Sequence, residues 1–87
     1  MDREQRALEQ VLTERELTYL RVKKRGTTFT LVVGPDDEPE ARLTHIAGPA
    51  WRLDLHHHSG RWEQTSFTGD LGQLIDAALS IGRLDDY

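Results

Sequence analysis

At 87 residues, with 15 acidic and 11 basic side chains, a net charge of −4 and no cysteine, the chain is sized for one domain and has no means of forming disulfides, thiolate zinc sites or thiol nucleophiles. The acidic balance has the wrong sign for gripping a phosphate backbone and argues against nucleic acid as the main partner. No apolar run is longer than three residues, as at Leu31-Val32-Val33, far short of the ~20 residues of a membrane span. Met1–Arg6 lacks the apolar stretch of a signal peptide. A soluble, cytoplasmic protein with no membrane contact is expected.

The first element reads as a helix over residues 3–15. Asp2 and Gln5 stand at capping-box spacing, and Leu8, Val11 and Leu12 form one narrow apolar stripe with Ala7 at its edge. From Thr18 the period changes to two. A tight turn at Arg25-Gly26 would set Val22 opposite Phe29, Leu20 opposite Leu31 and Thr18 opposite Val33, gathering the bulky apolar residues other than Tyr19 and Val32 on one face. Residues 34–40, with two prolines and four acids, read as a loop. Ala41–Ala47 is a third strand whose inward face the pattern leaves open. Trp51, Leu53, Leu55 and His57 alternate with Arg52, Asp54, His56 and His58 in a fourth strand.

A turn at Ser59-Gly60 then leads into a fifth strand over residues 61–67. A two-residue turn there would pair His57 with Trp62 and His56 with Glu63, and would leave Phe67 on the polar face unless a bulge near Ser66 intervenes. The last element is a helix over residues 70–81. It is capped by Thr68 or by Asp70 with Gln73, its apolar face is Leu71, Leu74, Ile75, Ala78 and Leu79, and Gly82 stops it. Leu84 and Tyr87 are expected to trail across a sheet edge. The expectation is therefore a single α+β domain over 1–87, in the order α-β-β-β-β-β-α. An antiparallel meander carries both helices on one face and leaves the other face open. Its core should contain Leu20, Val22, Phe29, Leu31, Leu53, Leu55, Leu74, Ile75 and Leu79.

Three groups of residues bear on function. In the tract His56-His57-His58, alternate residues share a face, so His56 and His58 form a His-x-His pair to which Glu63 or Asp54 would add a third metal ligand. A solvated strand end is the simpler explanation of the same tract. Arg21, Lys23, Lys24 and Arg25, with Tyr19 beside them, resemble a small single-strand-binding platform, although charged residues also protect sheet edges.

No phosphate loop, nucleophile elbow or His-Glu-x-x-His motif points to an enzyme, and no motif calls for a cofactor. The third group is the open sheet face itself, expected to carry Tyr19 and Val32 side by side with Arg21, Lys23, Arg52, His56, His58 and Glu63. Aromatic and arginine side chains on a rigid sheet are the composition of contact surfaces. The functional expectation is a non-enzymatic interaction or regulatory module that binds a protein partner or a second copy of itself.

Overall fold

Leu8 and Leu12 lie one turn apart on helix α1 (Arg3–Glu14) and are buried, whereas Glu4, Glu9 and Glu14 on its other faces are exposed. The computed structural model describes residues 3–57 and 59–81, so the Asp2 cap expected for this helix lies outside the described residues. The helix ends in a Schellman motif. The Leu17 amide donates to the Leu12 carbonyl (2.8 Å) and the Glu16 amide to the Thr13 carbonyl (3.0 Å), with Glu16 at φ 60° where glycine is usual. Leu17 thereby joins Leu12 in the core.

Five strands follow: β1 (Arg21–Arg25), β2 (Thr28–Val33), β3 (Glu38–Ala47), β4 (Ala50–His56) and β5 (Trp62–Gly69). They form one antiparallel sheet in sequence order, β1-β2-β3-β4-β5, with each strand beside its chain neighbour. Helix α2 (Leu71–Ser80) closes the described chain and packs on α1, β4 and β5, while α1 reaches β1. This is the expected α+β meander, with both helices on one face.

The core lies between the helices and that face. Phe29, Leu31, Val33, Ala41, Leu43, Trp51, Leu53 and Leu55 from the sheet meet Leu8, Leu12, Leu71, Leu74, Ile75 and Ala78 from the helices. Phe29 and Trp51 stack at 5.0 Å between ring centroids. Val22 and Leu79, expected inside, pack against the core but are only partly buried. The Arg15 guanidinium ties the helices together, with Nε 2.7 Å and Nη2 3.0 Å from the two Asp76 oxygens. That hydrogen bond from Arg15 holds the Asp76 carboxyl below the usual carboxylate range.

The N-terminus of α2 is closed as the sequence predicts. Asp70 Oδ1 accepts from the Gln73 amide (2.8 Å), and Gln73 Oε1 accepts from the Asp70 amide (2.9 Å). Gly69 lies at φ 155°, and a Cβ there would come within 2.4 Å of Gln73 Oε1. Gly82, Leu84 and Tyr87 lie outside the described residues.

Three local expectations are corrected. In the first hairpin, Val22 pairs with Leu31 and Lys24 with Phe29, two residues away from the expected register. The turn is Gly26-Thr27, because Gly26 (φ 55°) supplies the positive φ at the first turn position that matches the strand twist. In the last hairpin, His56 pairs with Trp62 and Leu55 with Glu63, one residue away from the expected register. The loop there spans more than two residues, closed by His57 amide to Arg61 carbonyl (2.8 Å) and Gly60 amide to His57 carbonyl (2.9 Å). Finally, β3 begins at Glu38 inside the expected loop. Pro39 enters the ladder at a bulge opposite Leu31/Val32, where its missing N–H is tolerated.

Candidate functional site

The pairing registers place three rows of side chains on the sheet face that the helices leave uncovered. One row runs Lys23, Thr30, Arg42, Asp54, Gln64, and the next runs Arg25, Thr28, Thr44, Arg52, Thr68. The third begins at Arg21 and Val32 and ends at His56 and Trp62. Bulges at Leu31/Val32 and between Arg52 and Asp54 interrupt the ladder, and bulges increase local twist. The face is a trough of about 570 Å³, lined by Lys23, Arg25, Arg42, Arg52, Trp62 and the hydroxyls of Thr28, Thr30 and Thr44. Val32 forms part of its floor and is only 2% exposed.

Asp54 is the centre of this surface. It is 1% exposed, the one buried polar or charged residue among those described. Arg42 donates to its Oδ2 from Nε (3.1 Å) and Nη2 (3.0 Å). Arg52 Nε stands 3.4 Å from Oδ1, near enough for ion pairing but not aligned as a hydrogen bond. The two guanidiniums are held from their other sides as well. Arg42 lies over the Trp62 ring at 4.3 Å from its centroid. Gln64 Oε1 accepts from Arg52 Nη1 (2.9 Å) and Nη2 (3.3 Å) in the amide orientation that satisfies both groups. His56 meets the edge of Trp62 at 4.9 Å. A buried carboxylate with two arginines is costly to desolvate, but it fixes both guanidiniums in place.

The corner of the trough is organised by a second acid. Lys23 Nζ lies 2.6 Å from Asp37 Oδ2, and Arg21 bridges Asp37 Oδ1 and the Gly34 carbonyl. The hydrogen bond from Lys23, aided by Arg21, holds the Asp37 carboxyl below the usual carboxylate range against the opposing effect of desolvation.

The residues expected on the open face divide. Arg21, Lys23, Val32, Arg52 and His56 are on it. Tyr19 is not: it precedes β1, packs against the core cluster and stands beside Val33 and the 34–38 turn. The expected Tyr19–Val32 patch is therefore absent, because the strand starts at Arg21, three residues later than the alternation from Thr18 implies. Glu63 is not on the face either. The odd register shift turns it to the side of Leu55, and its Oε1 lies 2.9 Å from His57 Nε2. His56 and Glu63 thus point to opposite faces, and His58 lies outside the described residues. The described residues contain no group of three or more His, Asp or Glu placed to hold a metal ion. His45 is also engaged elsewhere, with Nε2 2.6 Å from the Gly48 carbonyl and its ring 4.9 Å from Trp51.

Arg42, Thr28, Thr30, Thr44 and Trp62 did not stand out in the sequence as site residues. The available signal was in β3, where Ala41 and Leu43 alternate with Arg42 and Thr44. Two small or medium apolar residues did not decide which side faced the helices, and the pairing with β2 and β4 did. No helix among the described residues is long and apolar enough to cross a membrane. No protein-family model, curated protein or solved structure matches this chain.

Proposed function

We propose that this chain is a non-enzymatic protein-interaction module that takes an acidic segment of a partner protein on the open face of its sheet. The observation that carries this reading is the segregation of charge. In the trough of that face, Lys23, Arg25, Arg42 and Arg52 stand against Asp37 and Asp54, a balance of +2, so the rest of the −4 chain, Arg21 included, carries −6. A cationic patch on an acidic protein selects an acidic partner segment by sign. The same charges weigh against a two-fold homodimer through this face, since an isologous contact would set +2 against +2.

The test is titration calorimetry with a Glu/Asp-rich peptide. Binding at low salt that weakens with added salt is expected, and Lys23→Glu with Arg25→Glu should reduce affinity by roughly tenfold or more. No binding at low salt, or binding indifferent to the double reversal, would overturn the reading. Sedimentation from micromolar to millimolar concentration should show a monomer, and a stable dimer abolished by Arg52→Glu would restore the self-associating alternative.

One observation favours a second reading. Arg42 laid over Trp62, beside a row of threonines and cations, presents a flat polar surface of the kind on which single-stranded bases stack. That reading requires a single-stranded oligonucleotide to bind more tightly than the acidic peptide, with a steep salt dependence.

A further inference from the structure

We propose that the floor around Thr28 and Thr44, bounded by Arg25, Arg42 and Arg52, is a subsite for a phosphate monoester carried on the partner's peptide segment. The inference rests on the anion-binding reading of this face and names the group that the face selects.

Three features separate a phosphate monoester from a carboxylate or a phosphodiester. The first is the placement of the donor-bearing residues. Arg25, Thr28, Thr44 and Arg52 are successive cross-strand partners on four adjacent strands. Strand spacing of ~4.8 Å puts the two arginine Cα atoms about 14 Å apart, with the hydroxyl pair between them. Arg42 is two residues from Thr44 along β3, in the neighbouring row on the same face. The three arginines therefore flank the threonine pair on three sides and line one trough with it. A tetrahedral group with three free oxygens meets them all, whereas a carboxylate or a diester offers two.

The second feature is charge. Arg25, Arg42 and Arg52 less Asp54 amount to +2 around this point. A phosphate monoester carries about −1.5 to −2 at neutral pH, which this balance matches. A diester or a glutamate carries −1 and leaves half of it uncompensated.

The third is rigidity. Arg42 is fixed by Asp54 and Trp62, and Arg52 by Asp54 and Gln64, yet each guanidinium retains N–H donors beyond those bonds. Two arginines ordered before the ligand arrives lose less side-chain freedom on binding. Asp54 is thus a positioning residue: buried, out of reach of the ligand, and acting through the two arginines.

The experiment uses the full chain and four probes: a phosphoserine peptide of otherwise neutral sequence, its unphosphorylated form, its serine-to-glutamate form, and a single-stranded DNA 12-mer. Calorimetry gives affinities, and amide and indole proton–nitrogen spectra locate the contact. The phosphoserine peptide is expected to bind at least about tenfold more tightly than the glutamate form. Its shifts should centre on Thr28, Thr44 and the Trp62 indole. Arg25→Ala, on the exposed edge strand, and Thr44→Val, which keeps the shape and strand preference of the site, should each lower phosphopeptide affinity several-fold, and by a larger factor than the affinity for the glutamate form. Equal affinity for the two peptides would overturn the phosphate subsite and leave the acidic-partner reading standing. Failure of both to bind at low salt would overturn both. Tighter binding of the 12-mer would overturn both in favour of nucleic acid.

Discussion

The first and last hairpins of this sheet are built from strands of similar length, yet they depart from their sequence patterns in different ways. The β1–β2 pairing is displaced by two residues and the β4–β5 pairing by one. Because side chains alternate, an even displacement keeps every residue on its face and an odd one reverses them. Phe29, Leu31 and Val33 therefore remain inside, as their spacing requires, whereas Trp62 and Glu63 exchange sides. The difference lies in how much apolar information each strand carries. Strand β2 has three large apolar residues on one parity, and turning them outward would cost several kcal/mol. Strand β5 reads Trp-Glu-Gln-Thr-Ser-Phe-Thr-Gly, with its two aromatics on opposite parities. Neither face of β5 is imposed by burial, so loop geometry decides it.

The sharpest way to break this comparison is by cross-linking. His56→Cys with Trp62→Cys should form a disulfide under mild oxidation, and His57→Cys with Trp62→Cys should not, because the latter pair points to opposite faces. Oxidation of the second pair alone would restore the register implied by a two-residue turn. The next largest effect is on stability. Leu31→Ala removes a side chain with no exposed surface and should cost about 3 kcal/mol. Phe67→Ala on β5, at 43% exposed, should cost less than about 1 kcal/mol. Similar losses in denaturant unfolding for the two variants would show that β5 is held by its side chains after all.

Smaller again is Gly69→Ala, at the end of β5. The new Cβ collides with Gln73 Oε1 and sits at an unfavourable φ, so the capping box should open at a cost of about 1–2 kcal/mol. Amide exchange of Asp70 and Gln73 as slow in this variant as in the parent protein would refute the collision. The smallest effect concerns the tether of β1. Asp37 has a folded-state pKa below its ordinary value, so its contribution is present above about pH 4 and is lost as the pH falls through the lower folded value. Asp37→Asn should remove that part of the acid sensitivity, with β1 amides responding before those of β4. Identical acid-unfolding curves for the two proteins would mean that the Lys23 and Arg21 contacts add nothing.

The candidate site was legible in pieces. Arg21, Lys23, Val32 and Arg52 were readable as open-face residues because they lie on strands whose partners are strongly apolar. Tyr19 was misplaced because alternation continues upstream of the point where hydrogen bonding begins, and Leu17 and Leu20 are buried by the Schellman turn and the helix rather than by a strand. In the sequence Asp54 reads as an outward polar residue and a candidate metal ligand, not as a buried one. Its burial depends on Arg42 from one strand and Arg52 from its own folding over it, and no local pattern contains that.

By itself the sequence determined the element order, the two-sided character of the sheet, the capping box at Asp70 and Gln73, and most of the core. Each of these depends on residues within one turn or one strand of each other, where period and propensity act directly. Tertiary structure alone decided the inward face of β3, the side to which Trp62 and Glu63 turn, and the assembly of Arg42, Asp54 and Arg52 into one surface. Those outcomes depend on register between strands, which turn geometry and bulges set, and on a buried carboxylate finding both its counter-ions only once β3 and β4 are side by side.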